Sequence, residues 1–182
     1  MSREVVDIHI DLVRQCLEGR GGAHKALYDL YSRQMFSVAI RLLKDREEAE
    51  DVLQESFSDA FKNLSAFRGD SSFGSWLKRI VVNKSLNRIK KRKLAYVDVD
   101  GTEIGEEQVE ESSYPNLSVA QIQNCMTNLA DGFRVVLTLY LFEGFTHKEI
   151  AAELNISVGT SKSQYMRAKL KLKELIIEQY GE

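Results

Sequence analysis

Residues able to carry out catalysis are few and scattered in this 182-residue sequence, while residues able to bind a polyanion are clustered. His9, His24 and His147 stand far apart, no metal-ligand spacing occurs, and no glycine-rich phosphate loop opens a helix. An enzyme is therefore not expected, nor a metal or another cofactor. Cys16 and Cys125 each sit in an amphipathic pattern as a small apolar residue does, which argues for core packing rather than a disulfide or a zinc site. The cations are distributed very differently. Residues 71–94 contain no acid but carry Lys78, Arg79, Lys84, Arg88, Lys90, Lys91, Arg92 and Lys93, and 160–173 contain no acid but carry Lys162, Arg167, Lys169, Lys171 and Lys173. Seven acids fall in 45–59 against Arg46, and seven more in 98–111 with no base, so the net charge of −2 conceals strong segregation. Different faces are then expected to meet different partners, with Lys and Arg concentrated where phosphates would bind.

Three constellations give these charges a chemical meaning. Phe73, Trp76, Ile80, Asn83, Asn87 and Lys90 recur at 3, 4, 3, 4 and 3 along one helical stripe, with Arg79, Lys84, Arg88 and Lys91 beside it. Aromatic faces stack on unpaired bases, amides bond base edges and cations track the backbone, which is the chemistry of single-strand capture. Large aromatics also dominate small cores, so packing is the competing reading for Phe73 and Trp76. The second constellation is acidic: Glu47, Glu50, Asp51, Gln54, Glu55 and Asp59 lie opposite an apolar stripe, a pattern that is a solvated face unless a partner claims it.

The third is the run GFTHKEIAAELNISVGT at 144–160, which reads as a helix-turn-helix leading into a basic helix. Thr146 with Glu149 makes a capping-box pattern at the start of a short helix, whose Ile150, Ala151 and Leu154 face inward. Residues 155–159 supply the turn and Thr160 is placed to cap the next helix. There Ser161, Tyr165, Ala168, Leu172 and Leu175 share one side, and Lys162, Ser163, Met166 and Arg167 point the other way. A recognition helix needs this arrangement to bring base-reading and phosphate-holding side chains into a groove. An ordinary helical hairpin with a solvated basic face is the plainer alternative.

The elements that must position these residues are all helical. Apolar residues recur at three and four over most of the length, and Pro115 is the only proline. Ile8, Leu12, Val13 and Cys16 outline a first helix, stopped by Gly19, Gly21 and Gly22, after which Ala26, Leu30, Phe36, Ala39, Ile40 and Leu43 continue a helical pattern. Ala49, Val52, Leu53, Phe57, Ala60, Phe61 and Leu64 mark a third, and Val82, Leu86 and Ile89 the apolar side of a fourth. We expect an all-α chain of two small domains, 1–94 and 117–182. Between them, 95–116 reads as an acidic linker containing Gly101, Gly105, Ser112, Ser113 and Pro115. In the second domain Ile122, Met126 and Leu129 form one stripe and Val135, Val136, Leu139 and Tyr140 another. No apolar run approaches the roughly 18 residues of a membrane span, and the start of the chain lacks a signal peptide's pattern, so a cytoplasmic location without membrane insertion is expected.

Three blocks, in order, carry a resemblance: DREEAEDVLQESFSDAFKNL at 45–64, FRGDSSFGSWLKRIVVNKSLNRIKKRK at 67–93 and EGFTHKEIAAELNISVGTSKSQYMRAKLKLKEL at 143–175. Together they resemble sigma factors of the extracytoplasmic-function type, small alternative sigma factors of bacterial RNA polymerase in the sigma-70 superfamily, over nearly the whole chain. The resemblance implies that Asp51, Gln54, Glu55 and Asp59 dock on the β′ clamp helices of core RNA polymerase. It implies that Arg68, Phe73, Trp76, Arg79, Asn83, Lys84, Asn87, Arg88 and Lys91 bind and melt the minus-ten promoter element, with the loop 67–72 holding a flipped base. Thr160, Lys162, Ser163, Gln164, Met166, Arg167 and Lys169 would read the minus-thirty-five element. Core polymerase and promoter DNA are thus the implied partners, and an anti-sigma factor a further one. Three positions depart from the family pattern: Asn87 replaces a frequent Asp, Ala130 follows Leu129 where Pro is frequent, and Gln164 takes the place of a cation on the recognition helix. The competing function is a helix-turn-helix transcription regulator that binds duplex DNA without polymerase, as a dimer on a palindromic site.

Overall fold

The computed structural model describes residues 9–92 and 117–181. The expected linker at 95–116 lies outside the described residues. Those described form an all-α protein without a strand, and the chain divides into two compact units, Met1–Arg92 and Lys93–Glu182.

The first unit contains α1 (Ile10–Leu17), α2 (Ala23–Leu43), α3 (Arg46–Lys62), a single 3-10 turn at Leu64–Ala66 and α4 (Phe73–Lys91). Local chemistry sets the breaks. Gly22, at φ 84°, opens α2 in a left-handed conformation that a side chain rarely adopts. Asp45 caps α3 by accepting from the Glu48 amide at 2.9 Å, and Ser72 caps α4 by accepting from Ser75 at 3.2 Å. Helices α2, α3 and α4 pack against one another, with α1 on α2. Leu27, Met35, Leu42 and Leu43 of α2, Val52, Phe57 and Ala60 of α3, and Leu77, Val81, Val82, Leu86 and Ile89 of α4 fill the core. Each such large side chain stabilises the fold by about 1.5–3 kcal/mol relative to exposure. The expected apolar faces of α3 and α4 are thus the ones buried, but on α2 Leu30 is exposed and Leu27 and Tyr31 take the inward positions.

The second unit contains α5 (Val119–Thr127), α6 (Asp131–Leu141), α7 (His147–Leu154) and α8 (Val158–Tyr180). The long α8 touches the other three. Met126, Leu129, Leu137 and Ala168 form its core cluster, with Ile122, Phe133, Tyr165, Leu172 and Leu175 packed around it. At the α5–α6 corner Ala130 offers no side-chain cap. The buried Arg134 secures it instead, donating to the Leu129 carbonyl at 3.3 Å and to Asp131 at 2.6 Å. Both cysteines are buried and free, and burial pushes both thiols above their ordinary value.

Candidate nucleic-acid and polymerase surfaces

The acidic face of α3 and the basic side of α4 are brought together. Arg88 reaches Glu55 at 2.6 Å and Asp51 at 3.7 Å, Lys84 reaches Asp59 at 2.6 Å and Glu55 at 3.7 Å, and Arg92 pairs with Glu48. The Lys84 ammonium, through its hydrogen bond, holds the Asp59 carboxyl below its ordinary range. Residues assigned from sequence to two separate surfaces therefore form one continuous lattice. The partners are 25 to 44 residues apart along the chain, so no local pattern announces them. Gln54 remains exposed on the same side of α3, and Arg79, Asn83, Asn87 and Lys91 are exposed on α4.

The aromatic stripe divides differently from the expectation. Phe73 has no exposed surface; it lies between Tyr31 at 5.4 Å, Trp76 at 5.7 Å and Phe67 at 5.9 Å between ring centroids. It belongs to the core, which corrects its assignment as a DNA contact: a ring enclosed by three others has no free face to offer a base. Trp76 is half-buried, one side covered by Phe67 at 5.4 Å. Phe67 thereby anchors the start of the loop 67–72. In that loop Gly69 takes φ 79°, and the exposed Arg68 and Asp70 pair at 3.1 Å. Gly74 lies where a Cβ would stand 2.7 Å from the Tyr31 ring, so its lack of a side chain is what lets α2 and α4 approach.

In the second unit α7 and α8 form the helix-turn-helix. Thr146 and Glu149 make the expected capping box, and Ile150, Ala151 and Leu154 are buried. Asn155 ends α7 at φ 56°, in the left-handed region that Asn tolerates. The cap of α8 is Ser157, which accepts from the Thr160 amide at 2.9 Å; Thr160 sits inside the first turn with its hydroxyl 2.8 Å from that of Ser157. This corrects Thr160 as the cap and shortens the turn, since Gly159 is helical. Lys162 and Lys169 are exposed, and Ser163, Met166 and Arg167 are half-exposed. Gln164 is only 4% exposed and shares the inner face with Ser161 and Ala168, which corrects its assignment as a minus-thirty-five contact. The missing cation at that position is thus replaced by a residue facing the unit's interior.

Sequence reasoning missed an aromatic cluster behind α8. His147 stacks on Tyr140 at 4.5 Å, meets Tyr165 edge-on at 5.5 Å, and bonds the buried Ser161 hydroxyl through Nδ1 at 3.0 Å. Tyr165 in turn lies 5.8 Å beneath the Lys169 ammonium. The cluster fixes the start of α7 against the first turns of α8. Burial, and secondarily the Lys162 charge, holds His147 below its ordinary value and so favours the neutral ring. Its members lie at irregular spacings on three helices, so only the tertiary arrangement reveals it. Among the described residues no cluster of His, Cys, Asp and Glu is placed to hold a metal, and no helix is long and apolar enough to cross a membrane.

Comparison with known proteins gives a consistent pattern. The family described as Sigma-70 region 2 matches residues 27–94, and Sigma-70, region 4 matches 120–172. The RNA polymerase sigma-H factor of Pseudomonas aeruginosa is 31% identical over 170 residues, covering 87% of this chain and 88% of the relative. The ECF RNA polymerase sigma factor SigW of Bacillus subtilis is 30% identical over 174 residues, covering 89% and 93%. Among solved structures, the sigma factor RpoE of Bartonella quintana, in complex with the anti-sigma factor NepR, matches with 25% identity and a TM-score of 0.57, over 87% of this chain and 99% of that one.

Proposed function

We infer how this protein works from the premise that the chain belongs to the sigma-70 family, in its extracytoplasmic-function group. It is an alternative sigma factor, which binds core RNA polymerase and directs promoter recognition, melting and transcription initiation. The observation that carries this is the relatedness of sigma factors across 87–89% of the chain, through both units and in the family's order.

Within that function we assign surfaces to partners. The α3 face of Asp51, Gln54, Glu55 and Asp59 docks on the β′ clamp helices, acids meeting a basic partner. Arg68, Trp76, Arg79, Asn83, Lys84, Asn87, Arg88 and Lys91 bind the minus-ten element. Trp76 offers its uncovered side to an unpaired base and the cations follow the strand. Phe67 holds the loop that receives the flipped base. Lys162, Ser163, Met166, Arg167 and Lys169 face the minus-thirty-five element. Thr160 joins them only through the first turn of α8, where amides and the helix dipole favour a phosphate. The Tyr140–His147–Tyr165 cluster presents that turn. An anti-sigma factor, of the kind bound to the Bartonella relative, completes the partners, and the protein works in the cytoplasm with polymerase.

Transcription from a promoter library with Lys162→Ala and Arg167→Ala tests the recognition-helix assignment. A residue touching a base edge alters the ranking of sequences, by about 1–3 kcal/mol at its position, whereas one touching phosphate lowers all sequences alike. Unchanged level and ranking in both variants removes α8 from the promoter.

A further inference from the structure

The lattice between α3 and α4 has an unequal charge count. Asp51, Glu55 and Asp59 supply three carboxylates, while Arg88 and Lys84 supply two cations. The cations are the less accessible partners, at 24% exposure for Lys84 and 29% for Arg88, against 47–63% for the acids. In the free protein the two α4 cations are therefore turned toward α3 and paired by its carboxylates.

We propose that this lattice is an electrostatic exchange switch: it withholds Lys84 and Arg88 from DNA until a basic partner takes the α3 carboxylates. The inference rests on the assignment of α3 to polymerase and α4 to the minus-ten strand. A DNA phosphate approaching Lys84 or Arg88 must displace a carboxylate already 2.6 Å away and then lie beside the displaced acid. A cation that keeps a carboxylate beside it neutralises less of the phosphate charge and so frees fewer of the cations condensed on the DNA, which reduces the usual entropic gain of phosphate binding there. When cations of the clamp helices pair with Asp51, Glu55 and Asp59, both penalties vanish. Exposed pairs are individually weak, so the exchange is easily driven by a partner that engages several at once. By linkage, DNA strengthens polymerase binding by the same factor as polymerase strengthens DNA binding.

The test uses the full chain and a labelled single-stranded DNA of random sequence and about 16 nucleotides, titrated by anisotropy at several salt concentrations. One variant carries Asp51→Asn, Glu55→Gln and Asp59→Asn. A control removes three acids that do not face α4's cations, through Asp29→Asn, Glu47→Gln and Glu50→Gln. A third adds Lys84→Gln and Arg88→Gln to the first. The first is expected to bind about tenfold more tightly than wild type, within the range typical of such couplings. Its slope of log affinity against log salt should steepen by about 0.7 for each cation released to phosphate. The control should gain less and keep the wild-type slope. Equal gains and equal slopes in the first two variants overturn the switch while leaving the surface assignment intact. Unchanged binding when Lys84 and Arg88 are neutralised in the background of the first variant overturns the assignment itself, and the switch with it. Should the triple variant lose helical signal, Asp59→Asn alone, which releases Lys84 from its nearest carboxylate, carries the same comparison.

Discussion

Reversing Glu55 to Lys separates what the α3–α4 lattice does for the fold from what it does for polymerase. Glu55 bonds Arg88 at 2.6 Å and lies 3.7 Å from Lys84, so the reversal removes two attractions and creates two repulsions. Glu55 is half exposed, which places these pairs on the weak scale of about 0.2–1 kcal/mol each rather than that of buried charges. Four such contributions amount to about 0.8–4 kcal/mol at low salt, and relief of the like charges at Asp51 and Asp59, four residues away on either side, returns about 1 kcal/mol of it. In a domain of this size a net loss of about 1–3 kcal/mol corresponds to a melting midpoint lower by roughly 5–20 °C. In 1 M salt, where screening acts over about 3 Å, most of the deficit should disappear. Adding Arg88→Glu remakes the closest pair with its sense inverted and should return part of the stability, while Asp51 loses its own partner and the repulsion with Lys84 stays. It does not return an acid to position 55, so affinity for core polymerase, read by titration, should stay low in the double variant. If the double variant recovers polymerase binding together with stability, polymerase does not read the charge at this position. If Glu55→Lys melts like wild type at low salt, the lattice contributes nothing to the fold.

Phe73→Ala should destabilise the first unit by about 3–5 kcal/mol, because it empties a fully buried site, whereas Trp76→Ala should cost less stability and more promoter opening; urea unfolding with permanganate footprinting distinguishes them, and a mild loss at Phe73 would return it to the surface. Gly74→Ala should lower stability by a net of about 1–2 kcal/mol, since overpacking against Tyr31 outweighs the helix-propensity gain of at most about 1 kcal/mol; a raised melting midpoint would contradict the close approach. His147 is held below its ordinary value of 6.5, so the unfolded chain takes up the proton first. The stability this confers is present above that value and lost as pH falls toward the depressed folded one. The second unit's melting midpoint should therefore drop on acidification through that window, and His147→Asn, which cannot titrate beside Tyr140, Tyr165 and Lys162, should flatten this part of the profile; parallel profiles would sink the reasoning.

Features decided within a few residues were legible in the sequence. The Thr146–Glu149 box needs only its own helix turn, and the apolar stripe of α3 from Ala49 to Ala60 needs only a period, so both stand as read. The cap of α8 shows the limit of such local reading. Ser157 and Thr160 are both competent caps three residues apart, and the outcome depends on Val158 and Gly159 entering the helix, a choice of turn length that composition leaves open. Spacing also cannot tell the edge of a stripe from its centre. Phe73 shares the stripe of Trp76 and Asn83, yet it lies in the first turn of α4, where Tyr31 and Phe67 close over it. The family resemblance alone places Gln164 among the promoter-reading residues, although its offsets from Ser161 and Ala168 put it on the inner face. The pairing of Lys84 with Asp59 and the His147 cluster required tertiary packing, since their members come from different helices.

Run-off transcription with purified core RNA polymerase on a library of genomic fragments bears most directly on the sigma-factor function. Transcripts should begin at defined sites only when the protein is added, and those sites should share a bipartite, non-palindromic element with one part near minus ten and one near minus thirty-five. Polymerase that initiates no differently with the protein present, together with a protein dimer that binds a palindromic duplex by itself, would contradict the account and identify a polymerase-independent regulator.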